Sequence, residues 1–246
     1  MLSETLRFSV WGSSFLYTFY VLCNFMYFLS NQYDNQKIAS RPESDDNLVL
    51  TMLWDFLIDT CLISAFILQH SVMASDFVKR IYSALKIEDL DRSVYNACSA
   101  AVLHLMVKTW VPVSLVTLWN INTTSYSKIW LLMTAIHVLG WVFIYSGCLM
   151  MDISELVGLK QVLYKISCRP CPMNMKSREL RRFYGHMRHP SFTGFLMILW
   201  IHPIMSIDRL LLAVILTVYM IGMWNIDEDD YRYHSYVIQR KKRELS

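Results

Sequence analysis

The stretch IWLLMTAIHVLGWVFIYSGCLMM, Ile129 to Met151, carries no formally charged residue. Coiled as a helix rising about 1.5 Å per residue, it exceeds the ~30 Å hydrocarbon thickness of a bilayer. Comparable apolar runs occupy 6–29, 48–68 and 94–118, and two shorter ones, 192–205 and 209–224, follow. The expected fold class is therefore all-α: a polytopic membrane protein with six transmembrane or hairpin helices, organised as one membrane domain over 1–246. Composition agrees. The 246 residues are 54% hydrophobic and 17% charged, with a mean hydropathy of +0.31, whereas soluble domains carry roughly 25% charged residues.

The same numbers exclude other classes. A net charge of +3 is too small to argue for direct nucleic-acid binding. The first apolar run, Phe8 to Leu29, is too long for a signal-peptide core and lacks a clear small-residue cleavage site. Six cysteines, at 23, 61, 98, 148, 168 and 171, are scattered and suggest no disulfide framework.

The two C-terminal runs are separated only by Ser206–Asp208. At ~1.5 Å per residue the first reaches about 21 Å, short of a full crossing, so the pair reads as a tight helical hairpin. Asp208 suits the N-cap of its second helix, and Pro203 is expected to kink the first near its end. The segment 153–166 places Ile153, Leu156, Val157, Leu163 and Ile166 at helical spacing. It reads either as a helix in the cytosolic interface or as one packed on the ends of the spans.

Loop charge sets the orientation. Lysine and arginine concentrate in 69–93, in 152–191 and in the basic C-terminal tail 231–246, which includes Arg240-Lys241-Lys242-Arg243. Positive loops stay cytosolic, so both termini are expected on the cytosolic or nucleoplasmic side. The sequon Asn122-Thr123-Thr124 then falls in a lumenal loop, where such a triplet is a glycosylation acceptor.

Four groups of residues offer chemistry. In RHPSFTG, 188–194, the residue before a proline avoids helical backbone, so a helix is expected from Pro190 with His189 at its cap. Its unpaired first amides, with Arg188 and His189, offer an anion site, and Gly194 permits close approach of a ligand or a neighbouring backbone. The alternative is an interfacial anchor facing headgroups. The acids Asp227–Asp230 follow the last hairpin helix. They suit pairing with Arg182 or Arg188, binding of a cationic group, or a solvated collar. Asp55 and Asp59 share one helix face inside a span, where acids are costly and face a bundle interior. A structural hydrogen bond is favoured there over proton relay, with His104 and His137 as candidate partners. Cys168-x2-Cys171 before His186-x2-His189 imitates a zinc pattern, but the histidine spacing is shorter than zinc sites use, and no metal is expected.

Five segments in order, FILQHSVMASDFVKR (66–80), DRSVYNACSAAVLHL (91–105), DISELVGLKQVLY (152–164), MRHP (187–190) and DRLLLAVILTVYM (208–220), closely resemble the nurim family. The resemblance covers nearly the whole chain, with loop lengths varying mainly at 30–47 and 119–128. It implies a six-span protein of the inner nuclear membrane, held there by its membrane segments, without established activity. Endoplasmic reticulum is the fallback location. Anionic lipid headgroups and other nuclear-envelope proteins are the expected partners.

The nurim family is distantly similar to isoprenylcysteine carboxyl methyltransferases, which share a helical hairpin after an Arg-His-Pro motif and bind S-adenosylmethionine from the cytosolic side. Arg188, His189, Pro190 and Gly194 match that pattern, with Phe192 where those enzymes carry tyrosine. By that resemblance, Asp229 and Asp230 stand at the equivalent of their paired glutamates. The resemblance thus implies an S-adenosylmethionine-binding methyltransferase or pseudo-enzyme acting on a lipid-like thiol as the alternative to a structural or organising role. The altered half of the signature favours the organising role.

Overall fold

The computed structural model describes residues 3–31, 48–113, 116–123, 125–177, 180–181, 191–222 and 228–245. About 81% of these are helical. Helix α1 (Glu4–Ser30) is capped by Ser3, whose hydroxyl accepts from the Leu6 amide. Helix α2 (Leu48–Met73) is followed by the short α3 (Asp76–Ala84), a 3-10 turn at Glu88–Leu90 and α4 (Asp91–Thr109). Strand β1 (Thr117–Asn120) precedes α5 (Ser127–Met150), α6 (Ile153–Leu156), α7 (Leu159–Ile166) and a second 3-10 turn at Pro172–Met175. The chain continues through α8 (Phe192–Trp200), β2 (Ile204–Ser206), α9 (Ile207–Gly222) and α10 (Glu228–Leu245).

Among the described helices, Val49–Met73 and Ser127–Met150 are long and apolar enough to cross a membrane by length and composition. Their outer faces carry large apolar side chains in the open: Leu53 is 60% exposed, Leu131 63% and Leu149 66%. Apolar patches of that extent mark contact with something other than water.

Helix α4 lies along α1 and α2, α8 lies on α5, and α9 packs against α8 and α2. Their shared core joins Val21 and Leu29 of α1, Ile63 of α2, Met106 of α4, Ile198 of α8 and Leu212 of α9. The α5–α8 contact is closest at two glycines. A Cβ on Gly194 would meet the backbone oxygen of Gly140, and the Ile144 Cγ1 at 2.7 Å.

Four expectations change. The third apolar run was expected to be helical over 94–118, but α4 stops at Thr109. Pro112 cannot continue a helix and Val111 before it is pushed to extended backbone; Trp110 already has φ −55°, ψ 130°. Pro203 does not kink the first hairpin helix. That helix ends earlier, at Trp200, and Pro203 lies in the connection. There β1 and β2 pair antiparallel, Thr117 with Ser206 and Asn120 with Ile204, a small sheet absent from the all-helical expectation.

The segment 153–166 is two helices broken at Gly158, whose φ of +85° is the left-handed region that glycine occupies without strain. Helix α7 packs on α1 and on the Glu88–Leu90 turn, so it caps the bundle. The basic tail forms an 18-residue helix, α10.

Candidate functional site

Arg188, His189 and Pro190 lie outside the described residues, as do Arg182 and His186. The helix they lead into begins at Phe192, after Ser191, which makes no side-chain cap bond. Gly194 sits in its first turn and is buried against α5. Of the two uses open to this glycine, close approach of a neighbouring backbone is the one realised. Asp229 and Asp230 stand in the first turn of α10, and their side chains lie outside the described set.

A buried polar belt crosses the opposite end of the bundle, and the proline in the third apolar run creates it. Because α4 stops before Pro112, the Val111 amide has no helical acceptor. It donates to Asp59 Oδ1 of α2 at 3.1 Å. The preceding Trp110 donates its indole N–H to Asp208 Oδ2 at 3.0 Å. Two acids, each 0% exposed, thus meet consecutive residues of one chain break. Arg209, 3% exposed, turns the other way and donates to the Leu29 carbonyl at the end of α1, at 2.8 Å. The belt ties α1, α2, α4 and α9 together, using groups whose burial costs several kcal/mol each unless paired.

Sequence reasoning placed Asp59 inside the bundle and favoured a structural hydrogen bond, which is what forms. The expected partners differ. His104 meets the Tyr17 hydroxyl at 3.2 Å. His137 Nε2 meets Ser30 Oγ at 2.8 Å and accepts from the Trp141 indole at 3.1 Å. Asp208 was expected as an N-cap. It lies inside the first turn of α9, with its carboxylate committed to Trp110. Neither that role nor that of Arg209 is visible locally, since each partner is at least 98 residues away.

The other end of the bundle is joined by ion pairs. Arg7 of α1 pairs with Asp89 in the turn before α4, with side chains 6% and 4% exposed. Ser14 donates to the Ser93 carbonyl at 2.5 Å, and Lys176 pairs with Glu155 at 2.5 Å, both nearly buried. Asp152 accepts from Lys160 at 2.8 Å and from Ser154 at 2.6 Å. These bonds hold its carboxyl down to about 2 and raise the Lys160 ammonium. Cys168 and Cys171 are exposed free thiols.

Chemically, the polar groups of the belt and of the opposite end clasp helices: Trp110, Val111, Arg209, Arg7 and Ser14 each meet an acceptor on a different element. Together with apolar helices that face outward, they define a predominantly helical membrane protein. No family model and no solved structure matches the chain. Curated relatives do. It is 37% identical over 237 residues to a nurim homolog of Drosophila pseudoobscura pseudoobscura, covering 95% of this chain and 93% of that one. The nurim homolog of Drosophila melanogaster is 35% identical over 236 residues, with the same coverage. Human nurim is 36% identical over 205 residues, covering 82% of this chain and 76% of that protein. The chain belongs to the nurim family.

Proposed function

We propose that this chain is a multi-pass protein of the inner nuclear membrane with a structural or organising role at the nuclear envelope. Six hydrophobic segments are embedded, the last two as the hairpin α8–α9, and both termini face the cytosol or nucleoplasm. Family membership over most of the chain is the observation that carries this reading. The grouping of the polar contacts supports the sidedness. The Arg7–Asp89 and Lys176–Glu155 pairs involve segments assigned to the cytosolic face by their lysines and arginines. The Trp110–Asp208 and Arg209–Leu29 bonds involve the segments assigned to the lumen.

On the same reading, α10 provides the contact with anionic headgroups. Its residues Arg240, Lys241, Lys242 and Arg243 are exposed, and each basic residue near an acidic surface contributes about 1 kcal/mol. For the S-adenosylmethionine alternative, Gly194 of the Arg-His-Pro pattern is packed against α5, and Arg188, His189 and Pro190 lie outside the described residues.

The test is the distribution of a fluorescent fusion in cells. The proposal expects a nuclear rim signal with slow photobleaching recovery, retained when 240–243 are replaced by glutamine and lost when the α8–α9 hairpin is deleted. A signal spread evenly through the endoplasmic reticulum sinks it.

A further inference from the structure

A cavity of about 490 Å³ opens beside the polar belt, between the end of α1, the start of α5 and the hairpin connection. That volume is in the ~300–1,000 Å³ range of small-molecule sites. Among the described residues no charged side chain lines it; its polar groups are hydroxyls, an amide and two imidazoles.

The imidazoles have spare capacity that the hydrogen bonds define. Both ring contacts of His137 go through its Nε2, to Ser30 Oγ at 2.8 Å and to the Trp141 indole at 3.1 Å, which leaves Nδ1 without a partner among the described residues. Both contacts of His202 go through its Nδ1, to the oxygen and nitrogen of Ile204 at 2.8 and 3.2 Å, which leaves Nε2 without a partner among the described residues. The Thr134 hydroxyl and Asn31 amide, also in the lining, are likewise uncommitted among the described residues.

The walls are apolar. Trp130 and Val138, at the outer face of α5, are 53% and 55% exposed. With α5 in a bilayer, that face meets lipid.

We propose that this cavity binds an uncharged lipid bearing a hydroxyl head. A hydroxyl both donates and accepts, so it satisfies His137 Nδ1 and His202 Nε2 in either tautomer of each ring. Among the described residues the lining carries no lysine or arginine, which disfavours a phosphate head, and the apolar side chains of α5 beside it suit a ligand whose tail stays in lipid. The inference rests on α5 lying in the membrane, and alkaline extraction of cell membranes reads that separately: release into the soluble fraction means the membrane reading has failed, not the cavity.

The experiment uses the full chain in lipid nanodiscs and three photoactivatable probes: a diazirine long-chain alcohol, the matched alkane without hydroxyl, and a diazirine phosphatidic acid. Mass spectrometry maps the labelled peptides. The alcohol is expected to label 127–138 and 201–203 saturably, about tenfold more strongly than the alkane, as loss of one to two hydrogen bonds implies. Thr134→Val and His137→Phe should each weaken that labelling several-fold, while Ser13→Val, at the far end of α1, leaves it unchanged. Should His137→Phe fail to fold, Thr134→Val and the probe comparison still decide. Equal labelling by alcohol and alkane, no saturation, or preferential labelling by phosphatidic acid overturns the proposal.

Discussion

Replacing Gly194 by alanine is the sharpest perturbation of the packing that organises the hairpin. The new methyl would collide with the backbone oxygen of Gly140 and lie 2.7 Å from Ile144 Cγ1 and 3.0 Å from the Ile144 amide. Two of the three obstacles are backbone, so no rotamer change relieves them, and α8 must move off α5. Overpacking of this kind costs about 1–3 kcal/mol, and the upper end applies here. Alanine returns up to ~1 kcal/mol of helix propensity over glycine, leaving a net loss of about 2 kcal/mol. The reciprocal change, Gly140→Ala, meets mainly the Ile198 side chain, at 2.8 Å. That side chain yields more readily than backbone, so the net loss should be within about 1 kcal/mol. Gly12 has nothing within 4 Å of its built Cβ, so Gly12→Ala should gain roughly 0.5–1 kcal/mol. Thermal unfolding of detergent-solubilised protein, followed by fluorescence-detected size exclusion, ranks the three. The expected order of stability is Gly12→Ala above wild type, then Gly140→Ala, then Gly194→Ala. A Gly194→Ala protein as stable as wild type would refute the packing role assigned to this glycine and reopen its use as a ligand contact.

Three further expectations follow from the ion pairs and from the cofactor motif. Arg7→Met leaves Asp89 buried without its partner and should cost about 3–5 kcal/mol, whereas the double change Arg7→Met with Asp89→Leu should recover most of it; additive losses in the same unfolding assay would contradict the buried pair. Asp152 has its folded pKa depressed to about 2, so its contribution is complete above the ordinary carboxylate value and fades as pH falls from about 4 towards 2. Asp152→Asn should accordingly lose about 1–2 kcal/mol near pH 7, allowing for solvent screening of a third-exposed pair, with most of that difference gone near pH 2 and none left well below it; a pH-independent difference would refute the assignment. Isothermal calorimetry with millimolar S-adenosylmethionine should show no saturable heat, and a saturable signal abolished by Arg188→Ala would restore the cofactor reading.

Much of the helical plan was legible because it depends on local hydropathy. Helices α1, α2 and α5 fall where uninterrupted apolar runs lie. The errors occur where a local signal competed with the run. Pro112 ends α4 although the apolar character continues to Leu118, and Pro203 ends rather than bends the hairpin's first helix. The paired strands follow from those two early stops, which free backbone groups at 117–120 and 204–206 to satisfy each other. For the polar belt, sequence pointed to Asp59 because acids inside spans are costly. Trp110, Arg209 and the true role of Asp208 depend on contacts 98 or more residues apart, and no local pattern encodes those. Gly194 stood out as a point of close approach for a ligand or a neighbouring backbone, and the fold shows α5 against it.

The most direct test of the account is which side of the membrane holds each loop. One half of a split fluorescent protein is fused after Ser246 or inserted after Asn120, and the complementary half is expressed in the nucleoplasm or in the lumen. The account predicts that the Ser246 fusion lights the nuclear rim only with the nucleoplasmic half, and the Asn120 insertion only with the lumenal half. Complementation of the Ser246 fusion by the lumenal half would contradict it.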